Sequence, residues 1–318
     1  MNPAFSVILF TTLSGAGYGL LAWLGILCAF DSPTPDRTTA LVPLGVGLAL
    51  VTIGLSSSVF HLGKPLRAWR AFSQWRTSWL SREGVLSLIA YVPALVLAWL
   101  VWCNEYGLPM RFVGIALALS SLATVACTAM IYASLKPIPA WRHPLVMPVY
   151  LVFALSTGLT LFAALMALDW SDVSNEYGHY IVVNSPTAFV IGVSALALAA
   201  MKLMYWRAID RIELPSRESA TALEGIGKVT VFERPHTEAN YLTSEMGFVL
   251  ARKHSRKLRI IALLLFAGVP LLALLVAALL PSFAVAALWI AALAALAGAF
   301  VERWLFFAEA KHMVMLYY

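Results

Sequence analysis

Two apolar runs stand back to back near the C-terminus: residues 258–280 (LRIIALLLFAGVPLLALLVAALL) and 283–307 (FAVAALWIAALAALAGAFVERWLFF), separated by Pro281-Ser282 alone. Each exceeds the roughly 20 mostly apolar residues that a helix needs to cross a bilayer. Neither alternates apolar and polar residues, as a transmembrane barrel strand would. A two-residue joint between spans of this length is a tight helical hairpin. Working outward, six further runs have the same character, over about 4–30, 40–60, 84–102, 112–135, 146–168 and 186–206. The expected fold is all-α: a polytopic integral membrane protein of eight transmembrane helices, forming a single transmembrane domain over residues 1–318.

Composition agrees. Of 318 residues, 61% are hydrophobic and 12% are charged, about half the ~25% charge of a soluble domain. That excludes an ordinary soluble enzyme, and the hydrophobicity excludes a disordered chain. The N-terminus lacks a basic n-region and its first apolar run is long enough to span, so no cleaved leader is expected. Cys28, Cys103 and Cys127 contain no CxxC pair, which argues against an iron–sulfur cluster or a disulfide framework within this chain.

The net charge of +6 has to be located before it is interpreted. Eight crossings place both termini on one side, X, with the links 61–83, 136–145 and 207–257. The other side, Y, holds 31–39, 103–111, 169–185 and the 281–282 turn. Side Y has two basic residues, Arg37 and Arg111, against six acids, a net of −4. The other 20 basic and 10 acidic residues lie on X or at span ends facing it, a net of +10. By the positive-inside rule X is the cytoplasm, so both termini are cytoplasmic. Nucleic acid is not needed as a partner to explain the charge.

The link His61-Leu-Gly-Lys-Pro-Leu-Arg-Ala-Trp-Arg-Ala-Phe-Ser-Gln-Trp-Arg-Thr-Ser-Trp-Leu-Ser-Arg-Glu83 is the most informative one. Wound as a helix, it puts Trp69, Phe72, Trp75 and Trp79 within one arc, with Arg67 and Arg70 on the other side. That describes an interfacial helix with its aromatics down, and a plain aromatic anchor is the bland alternative. His61 and Glu83 flank it at the ends of adjacent spans. An imidazole that exchanges protons near neutral pH and a carboxylate that passes them on suit a quinone headgroup, with Arg67 and Arg70 as further candidate contacts. The bland alternative for Glu83 is an acid favoured by the helix dipole. Trp69, Trp75, Arg76 and Arg82, with Arg234 and His236 in the long 207–257 link, are candidate docking residues for a soluble subunit. That link reads as extended over 227–236 and as helical from Leu242. It is expected to be a cytoplasmic platform. Glu302 and Arg303, adjacent within the last span, should each find a partner elsewhere or snorkel. All six histidines fall in links, at span ends or in the tail, whereas a membrane haem takes its axial histidines within spans. No haem, metal site or catalytic residue is expected.

These residues carry a resemblance. Eight spans, the motif His61-Leu-Gly-Lys-Pro-x-Arg-Ala, Glu83 opening the third span, and Arg303-Trp-Leu-Phe306-Phe307 closing the last resemble the membrane anchor subunits of dimethyl-sulfoxide-reductase-type molybdenum complexes. The resemblance implies a molybdopterin catalytic subunit, an iron–sulfur electron-transfer subunit, and a haem-free anchor that handles menaquinone or ubiquinone in a bacterial plasma membrane. It links His61 and Glu83 to quinol binding. The reductase branch has a shorter sixth-to-seventh link and exported catalytic subunits, whereas here the His61/Glu83 side is cytoplasmic. Trp69-Arg-Ala-Phe-Ser-Gln-Trp-Arg and Phe232-Glu-Arg-Pro-His-Thr look more like anchors of cytoplasm-facing, sulfite-oxidising complexes, which reduce quinone. The alternatives are a quinol-oxidising dimethyl sulfoxide reductase anchor, a tether without quinone, and a transporter. The transporter lacks its usual mid-depth charges.

Overall fold

The computed structural model describes residues 4–30, 37–60, 64–168, 180, 182–183, 186–233 and 250–316. Eight helices are long and apolar enough to cross a membrane. They are α1 (Phe5–Phe30), α2 (Arg37–Val59), α3 (Trp79–Cys103), α4 (Leu108–Ala133), α5 (Val146–Met166), α6 (Pro186–Asp210), α7 and α8 (Ala284–Ala308). Helix α7 runs from Leu250–Leu263 through a π-helical turn, Leu264–Gly268, into Val269–Leu279. No strand occurs among the described residues.

The helix ends are set by local chemistry. Asn104 adopts the left-handed conformation (φ 56°) and closes α3, its N–H donating back to Val101 O. Gly107 (φ 108°) and Pro109 then open α4. Such a residue pair, one tolerant of αL and one preset for a first turn, makes a short reversal. Arg37 donates to Trp102 O (2.9 Å) and lies over the Trp102 ring, which brings the start of α2 to the end of α3. In α7, Pro270 has no N–H to return to the carbonyl of Phe266 and its ring would crowd that turn. The wider π turn just before it relieves the conflict.

Helices α1 and α5 are the most enclosed spans, and α3 and α6 are among the least. Helix α1 packs against α2, α4, α5 and α8. Its glycines allow this. A Cβ at Gly19 would run into the Ala154 backbone of α5, and one at Gly158 of α5 into Gly19 and Leu20. Gly25 meets Gly114 of α4 in the same way. Close backbone approach at small residues is how apolar helices gain packing energy in lipid. On the outer helix α3, Leu88, Val92, Leu95 and Trp99 are exposed, as hydrocarbon-facing side chains would be.

The even-numbered links share one end of the bundle. Ser57 of α2 donates to Ser6 O at the start of α1 (3.0 Å). Trp141 Nε1, between α4 and α5, donates to Phe306 O of α8 (3.0 Å), Tyr205 OH of α6 to Ala140 O (3.1 Å), and Met313 N to Pro137 O (3.0 Å). Tyr132, Trp141, Tyr150, Phe306 and Phe307 stack into one aromatic cluster there. This is the end X of the charge analysis.

Two expectations need correction. Several spans extend beyond the apolar runs, α3 beginning at Trp79 and α6 reaching Asp210. The link helix, Pro65–Gln74, is a 3₁₀ helix rather than α. At 3.0 residues per turn, Trp69, Phe72 and Trp75 share one edge, while Trp79 already belongs to α3. Over its described part, 227–233, the stretch expected to be extended is neither helix nor paired strand. Arg234 and His236, with the helical pattern from Leu242 to residue 249, lie outside the described residues, as does His61.

If the α1–α5 approach holds the bundle, Gly158→Val should lower the thermal unfolding midpoint of the detergent-solubilised protein by roughly 2–10 °C, from an overpacking cost of about 1–3 kcal/mol. Gly45→Ala, where an added Cβ meets nothing within 4 Å, should leave it within about 2 °C. Equal midpoints for both variants would remove Gly158 from this role.

Candidate functional site

The site begins at Glu83. It sits in the second turn of α3 and is 4% exposed, so it does not reach bulk water. Thr128 of α4 donates its hydroxyl to Glu83 Oε1, and the same hydroxyl also bonds Thr124 O one turn earlier (3.1 Å). Arg82, the neighbouring base, turns away. It donates to Trp75 O (3.1 Å) and Arg76 O (2.6 Å) and lies over the Trp79 ring, 4.3 Å from its centroid. Among the described residues Glu83 forms no salt bridge.

The 3₁₀ helix rests against this end of α3. Ser81 donates to Ala71 O and accepts from Gln74 N, and Phe72 lies so close to Gly84 that a Cβ there would meet the ring at 2.9 Å. Arg67 and Arg70 are exposed, Arg70 over the Trp69 ring and Arg76 over that of Trp75. Trp69 and Trp75 are themselves more than half exposed. Of the residues singled out from sequence, Trp69, Trp75, Arg76 and Arg82 therefore form one surface of arginine–tryptophan stacks, with Arg67 and Arg70 on the same short helix. Glu83 is enclosed behind it.

Behind Glu83, Thr128 lines a small cavity of about 20 Å³, together with Thr11, Thr12, Tyr150, Thr157 and Arg303. That is room for a water-sized group. The buried hydroxyls of Thr12 and Tyr150 have no hydrogen-bond partner among the described residues, which suits hydration of this space. Arg303 lies 3.5 Å from the centroid of the Tyr150 ring and 5.1 Å from that of Phe153.

From there a buried ion cluster continues. Lys202 Nζ of α6 bonds Glu302 Oε1 of α8 at 2.5 Å, with both residues almost fully enclosed. Arg303 Nη1 approaches Glu302 Oε2 at 3.1 Å. Neither Glu302 nor Arg303 snorkels. Each has the distant partner expected, but the two neighbours also touch. At the X end Arg259 of α7 ties down Asp210 of α6 with two bonds (2.6 and 2.8 Å) and Glu309 beyond α8 with one (2.8 Å). Burial pushes the Glu309 carboxyl above its usual range, opposed by Arg259. His143 and His312, both lowered by burial, each accept a backbone N–H two residues on. They shape turns at the X end.

Sequence reasoning missed Thr128, Tyr150 and the Lys202–Glu302 pairing. Threonines one turn apart (Thr124 and Thr128) were the available signal for the first. Among the described residues, no group of three His, Cys, Asp or Glu is placed to hold a metal ion.

The structure defines a polytopic, all-helical membrane protein whose buried carboxylate, at one end of the bundle, adjoins an exposed basic-aromatic surface. The chain belongs to the family of DMSO reductase anchor subunits (DmsC), whose model matches residues 1–308. It is 35% identical to the C subunit of the sulfite dehydrogenase of Allochromatium vinosum, over 100% of this chain and 99% of that one. It is 27% identical to the C chain of the anaerobic dimethyl sulfoxide reductase of Haemophilus influenzae, over 61% of this chain and 68% of the relative. It is thus an anchor subunit of a complex of sulfite dehydrogenase or DMSO reductase type.

The buried pair yields a ranking. Glu302→Gln leaves both Lys202 and Arg303 uncompensated, whereas Lys202→Met leaves Glu302 with Arg303. Breaking a buried pair costs about 3–5 kcal/mol, so both variants should unfold at lower temperature in detergent, Glu302→Gln the lower. The double variant Lys202→Met/Glu302→Met should be more stable than Glu302→Gln alone. The reverse order would contradict this charge assignment.

Proposed function

We propose that the chain is the quinone-reactive anchor of a sulfite-oxidising complex in a bacterial plasma membrane, with end X in the cytoplasm. A molybdopterin subunit would oxidise sulfite, and an iron–sulfur subunit docked on end X would pass the electrons on. The full-length similarity to the C subunit of a sulfite dehydrogenase supports the oxidising branch over the reductase one. The charge asymmetry supports the orientation.

The observation that carries the site is Glu83, an enclosed carboxylate bonded to Thr128, which also lines a water-sized cavity. A cavity of about 20 Å³ is too small for a quinone ring, so the headgroup belongs on the outer side of Glu83, against the 61–83 link. Bound quinone supplies the two-electron, two-proton chemistry. Glu83 holds a proton between headgroup and cavity, and Thr128 orients the carboxyl. His61 would bond the headgroup, with Arg67 and Arg70 as further contacts. The exposed aromatic edge of Trp69 and Trp75, with Arg76, Arg82, Arg234 and His236, receives the partner subunit.

In the assembled complex, His61→Ala and Glu83→Gln should each cut sulfite-to-quinone turnover at least about tenfold, a typical loss for a proton-handling group. Sulfite-to-dye turnover at the partner should stay unchanged. Unaltered quinone turnover in both variants would refute the site.

A green fluorescent protein fused after Tyr318 should fluoresce and an alkaline phosphatase fused there should be inactive. Active phosphatase would put end X outside and return the chain to the quinol-oxidising, reductase-type reading that its similarity to the dimethyl sulfoxide reductase component favours.

A further inference from the structure

At end X a groove of about 300 Å³ runs between α6 and α7. Its walls divide by depth. Leu203, Ile260 and Leu263 line it within the spans, with Leu203 and Ile260 exposed. Arg207 and Arg256 line it at the boundary, one helical turn further toward X than Leu203 and Ile260 respectively. Residues four apart share a helix face, so each apolar wall ends in a guanidinium.

The third arginine of the groove, Arg259, is already engaged by Asp210 and Glu309. Arg207 and Arg256 are exposed and form no ion pair among the described residues. Arg207, Arg256 and Arg259 against Asp210 and Glu309 leave the mouth an excess of one positive charge. The Trp206 indole, also in the wall, is 4% exposed, and its N–H has no hydrogen-bond partner among the described residues.

We propose that this groove binds one anionic phospholipid. Its phosphodiester is held by Arg207 and Arg256, and one acyl chain lies along Leu203, Ile260 and Leu263. Charge complementarity and depth select this occupant. A soluble partner's acidic segment could meet the arginines, but it would leave the apolar part of the groove to hydrocarbon. A zwitterionic lipid brings its ammonium group against two unpaired guanidiniums. Basic pockets between spans on the cytoplasmic side suit anionic headgroups for these reasons.

The test is native mass spectrometry of the full-length chain, titrated with phosphatidylglycerol or phosphatidylcholine. The wild type should retain one phosphatidylglycerol in preference to phosphatidylcholine. In Arg207→Gln/Arg256→Gln its affinity should fall about thirtyfold, and Arg207→Lys/Arg256→Lys should restore most of it. Equal retention of the two lipids, or an unchanged glutamine variant, would overturn the proposal. Should the double variant fail to fold, a phosphatidylglycerol with a photoreactive acyl chain can be applied to the wild type. Labelling at Leu203, Ile260 or Leu263 supports the site, and labelling confined to other surfaces overturns it. Crosslinking of a partner subunit into the groove of the assembled complex, with loss of the lipid label, would assign the groove to protein instead.

Discussion

Within hydrocarbon nothing presses two apolar helices together, because lipid tails are as apolar as leucine. The fold therefore depends on backbones coming close enough for dense contact, and α1 is where that happens. Gly19 meets α5 and Gly25 meets α4 without an intervening side chain. Around this axis the Trp23 indole donates to Leu155 O of α5 at 2.9 Å. Many threonines and serines of the spans, Thr11, Ser14, Thr157 and Thr160 among them, return their hydroxyls to carbonyls three or four residues back, leaving few polar groups to be satisfied between helices.

That arrangement makes the exceptions informative. Glu83, Lys202, Glu302 and Arg303 are the charged residues most deeply enclosed in the bundle, and all lie toward the same end. Glu83 relies on a hydroxyl, whereas Glu302 relies on two cations. Glu302, between two cations, ties α6 to α8. Glu83 instead accepts from Thr128, which also lines a water-sized space. The two buried acids thus differ in chemistry through their partners alone.

Much of the architecture was legible in the sequence, because hydropathy and charge act along the chain itself. Eight apolar runs became eight spans. The side assignments became sets of links that touch, Trp141 with Phe306 and Pro137 with Met313. Features that depend on three-dimensional neighbours were not legible. Lys202 and Glu302 are 100 residues apart, and no local pattern pairs them. The π turn of α7 was foreshadowed by Pro270 inside an apolar run, yet its position depends on the fit of Phe266 against Gly298 of α8. The 3₁₀ character of the 65–74 helix was written in aromatics spaced by three, a period that ten residues do not separate from 3.6. Thr128 looked like any other threonine in a span until α3 placed Glu83 beside it.

The adjacency of Glu302 and Arg303 has a consequence for assembly. A helix that is apolar all round could spin about its own axis in a bilayer at little cost. Helix α8 cannot. Turned by one residue, about 100°, in one sense it would carry Arg303 toward Lys202, and in the other sense Glu302 toward the rings of Tyr150 and Phe153. The first would set two cations against each other across a dry interface, and the second an anion against π-electron density. The Glu-Arg doublet thus works as a key cut for one lock, fixing the angle of α8 within the bundle.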